Sequence, residues 1–147
     1  MKKAAVLLFL FAAPLICPPL AAQEAMRSSN SGVYTQAQAD RGHQLYAFRC
    51  ARCHDTGFSG APRLGDGRFI NDFIGKTLFD ITDLIHTSMP VDKPGTTPKA
   101  EATEIAAYIL SVMGATVGAN DLPADDDVLR QIRVDLPVMP AGERASR

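Results

Sequence analysis

Cys50-Ala51-Arg52-Cys53-His54 is the stretch on which the reading of this 147-residue chain turns. Ahead of it, Ala39, Gly42, Leu45, Tyr46, Arg49 and Cys50 recur at steps of three and four, and Cys53 continues the series. That is helical periodicity, and the spacing predicts a helix over 36–50, opened by a capping box of Thr35 with Gln38. Such a helix carries both thiols on the face that Gly42 and Tyr46 define.

The wider composition narrows the setting. With 15 Lys+Arg against 16 Asp+Glu the formal net charge is -1, so no excess of cations is present to neutralise a phosphate backbone, which speaks against a nucleic-acid binder. At 46% apolar and 21% charged residues the chain is too hydrophobic for a disordered one, and its length suits one domain. The third cysteine, Cys17, lies in a leader: Lys2 and Lys3 start it, 4–16 is apolar, and Leu20-Ala21-Ala22 offers a small-residue cleavage site before Gln23. The apolar run stops at Pro14, Pro18 and Pro19, short of the ~20 residues a membrane span needs. Residues 1–22 are therefore expected to be a cleaved export signal, placing the mature chain in the periplasm, soluble and without an anchor. Losing Lys2 and Lys3 leaves 13 basic residues against 16 acidic, a net charge of -3, and leaves two cysteines.

Beyond the leader, 23–34 is polar and small and is expected to be a flexible, exposed lead-in. The stretch 55–67 holds Gly57, Gly60, Pro62, Gly65 and Gly67 and is predicted to be loop. Phe69, Ile70, Phe73 and Ile74 make a short amphipathic helix ended by Gly75. A longer one starts at Thr77, boxed with Asp80, buries Leu78, Ile81, Leu84 and Ile85, and stops at Met89-Pro90. Thr97-Pro98 provides a cap and first-turn proline for a helix with Ala102, Ile105, Ala106, Ile109 and Val112 inward, ended by Gly114. A last short helix follows Asp125-Asp126-Asp127 and holds Val128, Leu129 and Ile132, and 137–147 is expected to fray. The division expected is a core domain over 35–115 and a C-terminal extension over 116–147 partly packed on it.

Two cysteines this close would close a very small disulfide loop that stabilises little. A thioredoxin-like pair wants a βαβ unit, whereas here a helix precedes it. A zinc site wants four ligands, yet only His43 and His86 could join, and the adjacent Cys53 and His54 fit poorly in one tetrahedron. Cys-x-x-Cys-His instead suits covalent c-type haem attachment. Thiols three apart can each form a thioether with one of two neighbouring vinyl groups, and the next residue, His54, is held where its imidazole ligates the iron. The sixth ligand could come from His43, His86, Met89, Met113, Met139 or Met26. Met89 is the best placed, at a helix end with Pro90 fixing the exit, and His86 is the main rival.

Gly42-x-x-x-Tyr46, Cys50-x-x-Cys53-His54, Ala61-Pro62-x-Leu64, Met89-Pro90 and Ala107-Tyr108-Ile109-Leu110 together resemble the class I c-type cytochromes over about residues 35–115. The resemblance implies an all-α fold of three to five helices with long loops around one covalent haem c and its iron. It also implies that Gly42 and Tyr46 mark a helix crossing near Tyr108, that the Pro62 carbonyl orients the His54 ring, and that Leu64 packs on the haem. The stretch 78–90, with Pro94-Gly95 and Asp121-Leu122-Pro123-Ala124, is similar to cytochrome domains associated with pyrroloquinoline-quinone-dependent alcohol dehydrogenases. A dehydrogenase of that kind is the expected donor, and a terminal oxidase or another cytochrome the acceptor.

A haem iron with both axial positions filled by His54 and Met89 has no site for substrate, so the expected role is one-electron transfer by a periplasmic carrier and not enzymatic turnover. The alternatives are a tightly bound haem subunit of a periplasmic oxidoreductase and a haem sensor or enzyme with an open distal site. Residues 49–93 balance six basic against six acidic side chains, so the charge of a partner is not legible there.

Overall fold

The computed structural model describes residues 26–57, 60–64 and 66–135. The expected export signal with Cys17, the fraying tail and Met139 lie outside the described residues. In chain order the elements are β1 (Arg27–Ser28), α1 (Gln36–Arg49), α2 (Ala51–His54), α3 (Gly67–Phe73), α4 (Leu78–Ser88), α5 (Lys99–Val112), α6 (Asp126–Arg130) and β2 (Ile132–Arg133). Among the described residues the fold is all-helical apart from one pair of two-residue strands, with six helices where three to five were expected. The extra helix arises at Cys50, whose φ of -119° ends α1 and lets α2 start as a separate turn.

Crossing of α1 over α5 organises the core. At Gly42 the two backbones come so close that a Cβ would sit 1.9 Å from the Glu104 carbonyl oxygen, so only glycine fits. Tyr46 and Tyr108 meet across the same crossing with ring centroids 5.2 Å apart. Two ion pairs flank it, Arg41 with Glu104 at 2.9 Å and Arg49 with Glu101 at 2.7 Å. α4 packs on α5 and on α6. Its capping box forms as expected, Thr77 and Asp80 bonding each other's backbone amides. Leu78, Ile81 and Ile85 are buried on its inner face, but Leu84, expected there too, is exposed, and Thr82 takes the buried position beside Ile81. On α5, Ala102, Ile105, Ala106 and Ile109 are inward, while Val112 is exposed in the last turn because the inner face there passes through Leu110 and Met113.

The expectation of an exposed lead-in fails. Ser29, Val33 and Tyr34 are buried, because the C-terminal extension runs alongside and covers them. β1 pairs in parallel with β2, Arg27 opposite Ile132 and Ser28 opposite Arg133. The other edge of the same C-terminal segment bonds the α3–α4 turn, the Gly75 amide donating to Val134 O (2.9 Å) and the Val134 amide to Lys76 O (2.8 Å). Ile132 therefore belongs to a strand and not to the last helix, which α6 ends two residues earlier. The Tyr34 hydroxyl donates to Ala115 O at 2.8 Å.

Gln38 was expected to complete a capping box with Thr35. Only half of that box forms, the Gln38 amide donating to Thr35 Oγ1 at 3.1 Å. The buried Gln38 side chain turns instead to the extension, donating from Nε2 to Leu122 O (2.8 Å) and accepting from the Leu122 amide at Oε1 (2.7 Å). Gln38→Ala would leave both backbone groups of Leu122 buried without partners, a loss of about 2–3 kcal/mol. The expected result is a lower urea midpoint with an unchanged slope; an unmoved midpoint would mean that the clasp contributes nothing.

Candidate haem-binding site

Tyr46 O accepts from the Cys50 amide at 2.8 Å, which makes Cys50 the C-cap of α1. The Cys50 carbonyl then accepts from the amides of Cys53 (3.1 Å) and His54 (3.0 Å), winding α2 directly onto α1. Both thiols are free and half-buried at this junction. Burial pushes the Cys50 thiol up to about 11, with Arg49 acting in the opposite direction and Cys53 adding to the rise. A nucleophilic or redox-active pair works through a depressed thiol, so this environment opposes the thioredoxin-like reading. Among the described residues no three His, Cys, Asp or Glu side chains gather as a metal site.

The end of α2 is fixed from two sides. The Tyr46 hydroxyl donates to Asp55 Oδ1 at 2.6 Å, and burial together with that carboxylate holds its ionisation above the ordinary tyrosine range, so it stays a donor. His54 Nδ1 lies 2.7 Å from Pro62 O. A carbonyl oxygen only accepts, so Nδ1 carries a proton, and in the neutral ring Nε2 then keeps the lone pair. This is the arrangement by which proteins orient an imidazole for a metal. The loop that brings Pro62 there is pinned in turn: the Arg63 amide donates to Asp66 Oδ2 (3.1 Å), Arg68 Nη1 donates to Gly60 O (3.3 Å), and Asp66 caps α3 through the Phe69 amide (2.8 Å). Leu64, on the same loop, is half-buried against the core.

Met89 ends α4 with extended backbone, φ -116° and ψ 147°, and is half-buried. Its carbonyl accepts from Thr97 Oγ1 at 3.2 Å. Thr97 was expected to cap α5. It does not, because Pro98 takes the N-cap position with no side-chain cap bond and the hydroxyl turns back to Met89. The other candidate ligands are spread out. His86 Nδ1 lies 2.7 Å from Thr97 O, and its ring lines a small cavity between α4, α5 and α6 with Phe79, Lys99 and Asp126. His43 is exposed and stacks on Tyr108, centroids 4.8 Å apart. Met113 is buried in the core at the end of α5, and Met26 is exposed next to β1.

Reading the sequence missed Asp55 and Thr97. Asp55 follows the attachment motif, but nothing in the spacing marks it as the acceptor for Tyr46. Thr97 precedes a proline at a helix start, which disguised it as a cap.

Two half-buried thiols on one helical junction and a ring nitrogen aimed by Pro62 are donors whose chemistry fits haem c. Residues 37–109, about half of the chain, match the family described as cytochrome C oxidase, cbb3-type, subunit III. Searches of curated proteins and of solved structures gave no match. Among the described residues no helix is long and apolar enough to cross a membrane. The attachment motif, the oriented His54 and the family match lead to one conclusion: residues 37–109 are a c-type cytochrome domain, all-helical, built for covalent haem c with its iron and for haem-based electron transfer.

Proposed function

We propose that the chain is a periplasmic electron carrier whose haem is tethered through Cys50 and Cys53 and ligated by His54 and Met89. The hydrogen bond from His54 Nδ1 to Pro62 O carries this reading, since it leaves Nε2 free and fixes the ring plane. When bound, the haem supplies a one-electron couple. What the protein adds is rigidity: Tyr46 and Asp55 hold α2, Asp66 holds the Pro62 loop, and Thr97 holds the Met89 backbone. Ligands that do not move between oxidation states keep the rearrangement small, and a soft thioether favours the reduced iron and raises the potential. Pro62 and Leu64 complete the pocket on the His54 side.

His86 is the weaker sixth ligand. Its ring belongs to the cavity shared with α6, and its Nδ1 is committed to Thr97. The oxidised holoprotein is expected to show a sulfur-to-iron charge-transfer band that is absent in Met89→Ala, with a lower reduction potential in the variant. A band unchanged by the substitution would remove Met89 from the iron, and a high-spin wild-type spectrum would favour a sensor or enzyme.

A second reading, a haem subunit held in a larger oxidoreductase, is supported by the matched family, which is described as a subunit of an oxidase. The donor proposed is a pyrroloquinoline-quinone-dependent dehydrogenase, and the acceptor a terminal oxidase or another cytochrome. Cross-linking the mature chain in the periplasm and purifying it at high salt separates these readings. A carrier comes away as a monomer, and a subunit stays with its enzyme.

A further inference from the structure

We propose that Thr97 is a positioning residue for the Met89 ligand, tying it to the body of the fold and, through His86, to the C-terminal extension. The proposal rests on the reading of Met89 as an iron ligand. Residues 91–96 between them are all exposed, and their hydrogen bonds are local, the Lys93 amide to Pro90 O and Thr96 Oγ1 to Lys93 O. A ligand at the mouth of such a loop needs an anchor from elsewhere. Thr97 provides it, being 1% exposed and using both of its polar ends. The hydroxyl donates to Met89 O (3.2 Å) and closes the loop, while the carbonyl accepts from His86 Nδ1 (2.7 Å) one turn back on α4. The same threonine could have capped α5, the usual use of a hydroxyl just before a helix, and that cap is absent.

His86 extends the link outward. Its ring shares a small cavity with Phe79, Lys99, Asp126 and Leu129, and Lys99 Nζ lies 2.6 Å from Asp126 Oδ2. α6 thus covers the residue that holds Thr97, which gives the extension a task at the ligand in addition to its share of the core. A methionine held only by its own loop leaves iron readily when an outside base competes, whereas one tied at its carbonyl has less freedom to swing away.

The test is an imidazole titration of the oxidised holoprotein, followed by loss of the sulfur-to-iron band. Thr97→Val keeps the shape and removes the hydroxyl, and imidazole is expected to displace Met89 at a tenfold or greater lower concentration. Thr97→Ser should restore the wild-type value, and His86→Leu, which removes the second bond, should move it in the same direction by less. Urea midpoints measured in parallel identify a merely structural role, which would lower stability in Thr97→Val without changing imidazole affinity under native conditions. Equal affinities in wild type and Thr97→Val, or in wild type and His86→Leu should the valine variant not fold, overturn the proposal and leave Met89 in place. A wild-type protein with no such band overturns the ligand reading itself, and this proposal with it.

Discussion

The Cys50→Ala/Cys53→Ala protein is expected to carry no covalent haem and to lose amide protection across 51–66, the largest change any substitution in this chain should produce. The reason lies in where side chains are buried. No described side chain between 51 and 66 is buried: α2 has none, and His54, Ala61, Pro62 and Leu64 are only half covered. The order of that stretch rests on hydrogen bonds such as His54 to Pro62 and Tyr46 to Asp55, each net worth about 1 kcal/mol. A large apolar cofactor fixed against them adds the surface that such a segment otherwise lacks. Local opening tracks low apolar burial, so exchange in 51–66 should approach that of open chain while the α1–α5 crossing retains protection. Haem staining after denaturing electrophoresis reads the first effect and hydrogen exchange the second. Slow exchange in 51–66 of the double variant would show that the segment stands without its cofactor.

Gly42→Ala is expected to be the most damaging single substitution in the core. The added Cβ would lie 1.9 Å from Glu104 O and 2.6 Å from Glu104 C, which are backbone atoms that no rotamer change can move. Relief requires α1 and α5 to separate, disturbing Tyr46 on Tyr108 and both flanking ion pairs together. Overpacking of this kind costs about 3 kcal/mol or more, which for a domain of this size lowers the melting temperature by roughly 10–20 °C. α1 also delivers Cys50, so the variant should incorporate haem less completely. A melting temperature within a few degrees of wild type would show that the crossing tolerates a methyl group.

The helices were legible because their signals are local. Thr77 with Asp80, the 78–85 stripe and the 102–109 stripe each announce one helix within a dozen residues, and the structure places α4 and α5 there. The attachment motif was legible for the same reason, being five consecutive residues. What could not be read depends on pairs far apart in sequence. Tyr34 looked exposed because its partners are Ala115 and Gly118, and a short polar stretch carries no sign of a distant partner. Leu84 and Val112 fit their helical stripes yet face outward, since periodicity fixes a face only to within about a turn's breadth. Gln38 and Thr97 were assigned to helix caps, the nearest use for their side chains, and the structure gives each a longer-range bond in its place.

The pairing of β1 with β2 also sets an order of events. Ser29 and Asp135, which bond each other beside these strands, are 106 residues apart in sequence. Synthesis runs from the N-terminus, so β1 is made before β2 and waits for a partner that lies far along the chain. Contacts of such separation form slowly, because the chain between them must first surrender its freedom. Cys50, Cys53 and His54 emerge during that wait. The attachment motif is thus made before the clasp has both of its strands.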